Sequence, residues 1–298
     1  MTLLRDFLRL IRSLNLIYIV LTMYFVRLYI LQPADEAGLS DLDFALLVLS
    51  TVLVAAAGYI INDYFDVKID VVNRKGEIIV DKTITRRKAM ATHQLFNVVA
   101  VILGFYVAWK ANALWLGFIP LVSVTLLWFY STTFKRHIII GNVVVSLLSA
   151  MVVIVAVLYE SPKLELSRLS FILMACYSGF AFLVSMIREV IKDMQDVEGD
   201  RKDNCKTLPI VYGVRNSKLV TVIMNLLVMI FIVIVQAKGT FLLSEHAYIV
   251  TLILLPLALN IYLVAKADTP VKFHRASNLV KFIMLTGIFS LPVFEYLK

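Results

Sequence analysis

The sequence predicts an all-α integral membrane protein whose nine transmembrane helices surround a central cavity. Of its 298 residues, 60% are hydrophobic, whereas soluble globular chains contain roughly 45–50% apolar residues. The apolar residues are gathered into nine runs, each close to the ~20 residues that a helix needs to cross a bilayer. Because no Pro/Gly/Ser-rich linker separates these runs, residues 1–298 are predicted to form a single membrane domain.

The nine runs follow one another with short polar connections between them. No small-residue cleavage site follows the first run, which indicates a retained helix rather than a signal peptide. The third run is the most polar, because Thr92, His93, Gln94 and Asn97 occupy its first turns. The predicted helices cover residues 14–32, 42–62, 90–109, 113–130, 138–159, 169–190, 217–236, 247–265 and 279–296.

Basic residues between the runs indicate how the helices are oriented. The chain has 29 Lys and Arg residues and a net charge of +8. Cytoplasmic loops carry an excess of Lys and Arg, so we expect the N-terminus and the connections after even-numbered helices to be cytoplasmic. Those after helices 2 and 6 should form short cap segments. The same bias explains the basic charge without a nucleic-acid partner. The only Lys and Arg on the opposite side would be Arg27, Lys110, Lys163, Arg168, Lys238 and Lys298.

Two aspartate motifs lie at the predicted cytoplasmic ends of helices 2 and 6. Both have the spacing D-x-x-D-x-x-x-D, and residues at i, i+3 and i+7 share one face of an α-helix. Each motif therefore predicts a stripe of three carboxylates. The residues are Asp63, Asp66 and Asp70 in the first motif and Asp193, Asp196 and Asp200 in the second.

Such a stripe needs a compensating charge, because like charges repel and charges near the bilayer are costly. Magnesium binds a few carboxylates and completes its octahedron with water and phosphate oxygens. A single acidic stripe is often only a solvated helix end, but two stripes of the same spacing, each flanked by Lys and Arg, favour a metal site. We therefore predict that all six aspartates bind magnesium. The four expected to be catalytic are Asp63, Asp66, Asp193 and Asp196.

Polar and basic side chains near the motifs complete a predicted diphosphate site. Guanidinium and ammonium groups suit diphosphate oxygens, although each of these residues would also serve as a positive anchor at a helix end. Because the motifs share their spacing and their predicted side of the membrane, we expect one metal–diphosphate site. The predicted diphosphate ligands are Arg12, Asn62, Arg74, Lys135, Arg188, Lys192 and Lys206.

These residues resemble the motifs of the UbiA superfamily of intramembrane prenyltransferases. Members have N-D-x-x-D-x-x-x-D in the first motif and D-x-x-D-x-x-x-D in the second. They also have R-x-x-N at the first helix, which Arg12 and Asn15 match, and a Tyr-to-Lys-Arg motif after helix 4, which Tyr130, Lys135 and Arg136 match. The resemblance implies a magnesium-dependent enzyme that moves a prenyl group from its diphosphate to a hydrophobic or amphiphilic acceptor within the bilayer.

Within the superfamily, the second motif and the stretch through Lys206-Thr207-Leu208-Pro209 look most like digeranylgeranylglyceryl phosphate synthases. This resemblance implies a geranylgeranyl diphosphate donor and a geranylgeranylglyceryl phosphate acceptor. One segment departs from the pattern. Many relatives continue the first motif with N-R-P-x-R-P-I-P-S-G, whereas here Arg74 is followed by a proline-free loop from Lys75 to Lys88. This departure from the family pattern concerns the identity of the acceptor more than the binding of the metal.

Other functions fit the sequence less well. An aromatic-acceptor prenyltransferase of quinone biosynthesis shares the general plan and is the main alternative, although the many Lys and Arg residues of the first cytoplasmic loop favour a phosphorylated acceptor. A secondary cation transporter would place acids near the mid-depth of its helices, whereas these aspartates lie at helix ends. Nine apolar runs exclude a soluble isoprenoid synthase.

Overall fold

The computed structural model describes residues 2–31, 38–73, 78–162 and 166–297, and the chain is helical over most of them. No β-strand forms within these ranges, and an isolated bridge joins Val80 to Ile84. The predicted all-α fold is therefore confirmed. The helices are α1 (Thr2–Leu10), α2 (Ser13–Phe25), α3 (Asp41–Asn73), α4 (Arg86–Lys110), α5 (Phe118–Thr132), α6 (Ile140–Glu160), α7 (Arg168–Gln195), α8 (Val197–Lys202), α9 (Leu208–Val211), α10 (Gly213–Lys238), α11 (Leu243–Ile249), α12 (Leu255–Lys266) and α13 (Pro270–Leu297).

Nine helical stretches among the described residues are long and apolar enough to cross a membrane, as predicted. The chain is therefore a multi-pass membrane protein. The helices extend beyond the apolar runs: α3 continues past residue 62 to Asn73, and α13 begins at Pro270 rather than at 279. The predicted central cavity and cytoplasmic caps stay predictions. The nine stretches are Ser13–Leu31, Asp41–Val67, Arg86–Lys110, Leu114–Thr132, Ile140–Glu160, Arg168–Gln195, Gly213–Lys238, Leu243–Lys266 and Pro270–Tyr296.

The residues pack as two compact units. The first consists of Met1–Lys135 and Met151–Ala175, and the second of Arg136–Ala150 and Cys176–Lys298. Each unit contains one of the two aspartate motifs, so each is described by itself.

In the first unit, α3 packs against α2, α4 and α5. Glycine allows α4 to approach α5, because a Cβ on Gly104 would lie 2.4 Å from Cγ of Pro120. α1 is held by an apolar cluster with α3 and the segment after it, which we call the α3–α4 segment (residues 78–85). The buried members of this cluster are Leu10, Ile60, Ile79, Val80, Ile84 and Ala89.

A buried ion pair lies in the same unit, at the end of the first membrane span. The carboxylate of Glu160, which is 0% exposed, lies 2.9 Å from Nε of Arg27 and also accepts a hydrogen bond of 2.6 Å from the backbone N–H of Leu39. Arg27 in turn donates to the Leu39 carbonyl and to Asp41, and its guanidinium stacks on the Phe44 ring. These contacts tie the end of the first membrane span (Ser13–Leu31) to α3 and α6.

In the second unit, α10, α12 and α13 pack together around a buried apolar core. Buried polar side chains within this unit bond to backbone carbonyls. Asn260 Nδ2 donates to the Ala276 carbonyl at 2.9 Å, and Thr286 Oγ1 donates to the Leu252 carbonyl at 2.9 Å. Such bonds matter in a membrane, because an unsatisfied polar group costs several kcal/mol, on the order of 2–7, when it is buried without a partner.

Candidate active site

The first aspartate motif lies on the uninterrupted helix α3, as predicted. Asn62 Nδ2 donates to Asp66 Oδ2 at 2.8 Å, four residues along the same helix. Lys135 Nζ donates to the other oxygen of Asp66. Arg12 Nη2 donates to Asp63 Oδ1 at 3.1 Å. The structure therefore brings three of the predicted diphosphate ligands onto this motif.

A break between α1 and α2 places Arg12 next to the first motif. Arg12 has left-handed backbone angles (φ 51°, ψ 54°) and lies just before Ser13, where α2 begins. Its guanidinium stacks on the Tyr59 ring at 4.7 Å, and Asn15 Nδ2 donates to the Tyr59 hydroxyl at 3.3 Å. Both residues of the R-x-x-N motif therefore contact Tyr59, one turn of α3 before Asp63. Sequence reasoning missed Tyr59, although its i−4 spacing to Asp63 places it on the same face.

Lys135 lies in the 3₁₀ turn Phe134–Arg136 after α5, and this turn places it next to Asp66. The side chains of Lys135 and Asp66 are 10% and 14% exposed, so the pair is largely screened from solvent. The next residue, Arg136, belongs to the second unit and makes different contacts. Its guanidinium donates to Asp203 at 2.9 Å, and its carbonyl accepts a bond from the backbone N–H of Lys206.

The second aspartate motif does not lie on one continuous helix, which corrects the prediction of a single stripe. α7 ends at Gln195 and α8 begins at Val197. Asp196 sits between them with φ −100° and ψ 8°. Aspartate favours such helix boundaries because its short side chain competes with the backbone for hydrogen bonds. Asp193 accepts a hydrogen bond of 2.8 Å from Asn142 Nδ2, a partner from α6 that the sequence did not suggest.

Arg188 and Lys192 share a buried acidic partner within α7. The Glu189 carboxylate accepts 2.9 Å and 3.0 Å hydrogen bonds from Arg188 Nη1 and Lys192 Nζ. Two predicted diphosphate ligands are thus held next to each other by one carboxylate. Lys206 is exposed beyond α8, and Arg74 lies outside the described residues.

The donor atoms of the first motif suit magnesium. No three His, Cys, Asp or Glu side chains among the described residues are grouped closely enough to form a ready metal cluster. The candidate donors are nevertheless all oxygens, the type that magnesium prefers. Besides the three carboxylates, Asn62 offers a buried Oδ1 atom that has no hydrogen-bond partner. The residues present therefore fit the metal, with Arg12 and Lys135 in contact with two of the carboxylates.

Comparisons with known proteins bear on this site. The model of the UbiA prenyltransferase family matches residues 19–284. A digeranylgeranylglyceryl phosphate synthase of Methanosphaera stadtmanae is 28% identical over 244 residues, 81% of this chain and 84% of the relative. The enzyme of that name from Thermococcus sibiricus is 30% identical over 245 residues, 82% of each chain.

Solved structures share the fold. A digeranylgeranylglyceryl phosphate synthase structure superposes with a TM-score of 0.65 at 23% identity and covers 99% of both chains. A UbiA homolog from Archaeoglobus fulgidus bound to GPP and Mg²⁺ superposes with a TM-score of 0.60 at 15% identity, covering 96% of this chain and 99% of its own.

Proposed function

Because the chain belongs to the UbiA prenyltransferase family, we propose that it is a magnesium-dependent intramembrane geranylgeranyltransferase. Its donor is geranylgeranyl diphosphate and its acceptor is geranylgeranylglyceryl phosphate. The names of the relatives from Methanosphaera and Thermococcus support this acceptor, and the GPP- and Mg²⁺-bound Archaeoglobus homolog supports the donor class and the metal. Family membership also argues against the cation transporter considered above.

The observation that carries the proposal is the arrangement around the first motif. Asp63 and Asp66 share a face of α3, and each carboxylate accepts a hydrogen bond from a cation of another segment, Arg12 or Lys135. A diphosphate presents several anionic oxygens, and charge-assisted hydrogen bonds to such oxygens are roughly twice as strong as neutral ones. Among the described residues of this unit, we assign Arg12, Lys135 and the Asn62 amide to the diphosphate.

We assign the second motif to the same substrate. Asp193, Asp196 and Asp200 would join Asp63, Asp66 and Asp70 as magnesium ligands, on the argument that the two motifs have the same spacing. When bound, magnesium neutralises the charge that develops on the departing diphosphate. In this assignment Arg188 and Lys192 bind diphosphate oxygens while Glu189 holds them together. Lys206 and Arg74 are further proposed ligands.

The reaction makes an ether. The bond between C1 of the prenyl chain and the diphosphate oxygen breaks, and diphosphate leaves with the bonding electrons. The acceptor hydroxyl oxygen forms the new bond to C1, and its proton passes to an oxygen of the departing diphosphate. Because the allylic carbon becomes cation-like, apolar helices must exclude water from it. We further propose that residues 1–298 act as one domain in the cytoplasmic membrane with the motifs on the cytoplasmic side, as the Lys/Arg distribution suggests.

A product analysis with two acceptors tests the proposal. Purified full-length protein is incubated with geranylgeranyl diphosphate and either geranylgeranylglyceryl phosphate or 4-hydroxybenzoate, with magnesium or with EDTA, and products are identified by mass spectrometry. We expect product only with the glyceryl phosphate and magnesium. Prenylated 4-hydroxybenzoate as the main product would overturn the acceptor assignment, and equal turnover in EDTA would overturn the metal assignment.

Matched variants make the test specific to the motifs. Asp63→Asn should lose at least about 100-fold in turnover, the order of effect expected when one electrostatic contact to the developing charge is lost. Asp268→Asn removes an aspartate that lies outside both motifs, pairs with Lys272 and is exposed, and it should be as active as the unmodified enzyme.

A further inference from the structure

A cavity of about 90 Å³ opens beside the first motif, entirely within the first unit. Three of its lining residues, Arg12, Asp63 and Asp70, belong to the donor site proposed above. The other four, Arg9 and three apolar residues, have no role in that site. We call this space the headgroup cavity, and it is lined by Arg9, Arg12, Asp63, Asp70, Ile78, Ile79 and Val80.

Arg9 is positioned in this cavity by the packing of α1. The residue after it, Leu10, is buried in the apolar cluster with Ile79 and Val80 of the α3–α4 segment. A hydrogen bond of 2.9 Å from Thr83 Oγ1 to Asp6 Oδ2 adds a second link between that segment and α1. The backbone of Arg9 is therefore held against the cavity wall while its side chain remains exposed.

Unlike the other arginines of the first two helical segments, Arg9 has a guanidinium without a partner among the described residues. Arg5 pairs with Asp6, Arg12 with Asp63 and Arg27 with Glu160. Across the described residues, Arg9 has no ion pair or hydrogen bond to its side chain. It is therefore a fork of five N–H donors facing a cavity, the geometry that binds phosphate oxygens in pairs.

We propose that the headgroup cavity binds the phosphate of the lipid acceptor and that Arg9 is its ligand. This inference rests on the proposed function. Prenyl transfer requires the acceptor hydroxyl to approach C1 of the donor, so the acceptor headgroup must bind next to the diphosphate. A cavity that shares Arg12, Asp63 and Asp70 with the donor site meets this requirement. Arg9 then selects an acceptor that carries a phosphate monoester over a neutral or aromatic one.

Steady-state kinetics of the full-length enzyme test the role of Arg9. The Arg9→Gln variant should raise the KM for geranylgeranylglyceryl phosphate by about 10- to 100-fold, the factor expected for losing a hydrogen bond to a charged group. The KM for geranylgeranyl diphosphate should stay within about twofold. Arg9→Lys keeps the charge but loses the planar fork, and it should recover part of the acceptor affinity.

Arg5→Gln is the matched control. Arg5 lies on the same helix, its side chain is 71% exposed, and it does not line the cavity. Glycerol 1-phosphate, a soluble phosphate monoester, should compete with the lipid acceptor in the unmodified enzyme and compete more weakly in Arg9→Gln. Thermal melting of each variant verifies that the fold is intact.

The outcomes separate the two hypotheses. Absence of product from the unmodified enzyme with the glyceryl phosphate defeats the proposed function itself. With an active enzyme, three results would each overturn the role of Arg9: an unchanged acceptor KM in Arg9→Gln, an equal rise in the donor KM, or the same effect in Arg5→Gln.

Discussion

Replacing Glu160 with leucine should destabilise the first unit by about 3–5 kcal/mol, the cost of removing one partner from a buried ion pair. The carboxylate of Glu160 is fully buried and lies against Arg27. Without Glu160, the Arg27 guanidinium keeps the Leu39 carbonyl and Asp41 as hydrogen-bond partners, and the Arg27 side chain is only 9% exposed. The substitution also removes the acceptor of the Leu39 N–H. Leaving this buried donor unsatisfied costs about 1–3 kcal/mol, which is included in the total of about 3–5 kcal/mol above.

Denaturation in mixed detergent micelles, followed by circular dichroism and tryptophan fluorescence, measures this effect. All three tryptophans, Trp109, Trp115 and Trp128, lie in the first unit, so their emission reports on the unit that contains the pair. The control is Asp41→Asn, because the Asp41 side chain is fully exposed and its pairing with Arg27 should matter little.

A double substitution shows whether the charge is the cause. Arg27→Met combined with Glu160→Leu removes both charges and should cost less than either single change, since apolar replacements of a buried pair are often close to neutral. The reasoning is refuted if Glu160→Leu is no more destabilising than Asp41→Asn. It is equally refuted if the double variant is the least stable of the set.

Three further predictions concern activity. Lys135→Met should lower kcat/KM for the donor by about 100-fold, whereas Arg136→Met, which changes the next residue and contacts Asp203 instead of the first motif, should stay within about threefold. Equal losses in both would contradict the assignment of Lys135. Glu189→Gln should raise the donor KM by about tenfold, because the amide binds the flanking cations more weakly than a carboxylate does, and competition by inorganic diphosphate should weaken in parallel. Removal of magnesium with EDTA should abolish product formation, and calcium should restore less activity than magnesium because it accepts a looser geometry at longer ligand distances.

The membrane helices could be predicted because a segment that crosses the bilayer must be apolar over its whole length. Hydropathy marks the ends of the apolar run, however, and not the ends of the helix. α13 begins at Pro270, nine residues before the predicted start, because Lys272, His274 and Arg275 occupy its first turns. A helical backbone satisfies its own hydrogen bonds in water as well as in lipid, so polar residues end the apolar signal without ending the helix.

Site residues that lie on one helix could be predicted from the sequence, whereas their partners from other helices could not. Asp63 and Asp66 share a face of α3, which periodicity alone predicts. Asn142, the partner of Asp193, comes from another helix 51 residues away in the chain, and no local pattern indicates it. The break at Asp196 was missed because the spacing of the second motif equals that of the first, while neither Pro nor Gly marks the boundary.

The three-residue spacing of Arg12 and Asn15 follows from the geometry at the start of α2. A non-glycine residue in the left-handed region costs about 1–2 kcal/mol, so Arg12 needs favourable contacts to remain there. Its carbonyl accepts the first bond of α2 from the Asn15 N–H at 2.8 Å, while its side chain turns toward α3. There the stacking on Tyr59 and the bond to Asp63 offset the strain, since a hydrogen bond between charged groups contributes about 1.5–3 kcal/mol. Asn15, one turn into α2, meets the hydroxyl of the same tyrosine. The two side chains of the R-x-x-N motif therefore attach the start of one membrane helix to Tyr59 and Asp63 of the next. The arginine tolerates an unfavourable backbone conformation because that conformation directs its side chain to Asp63.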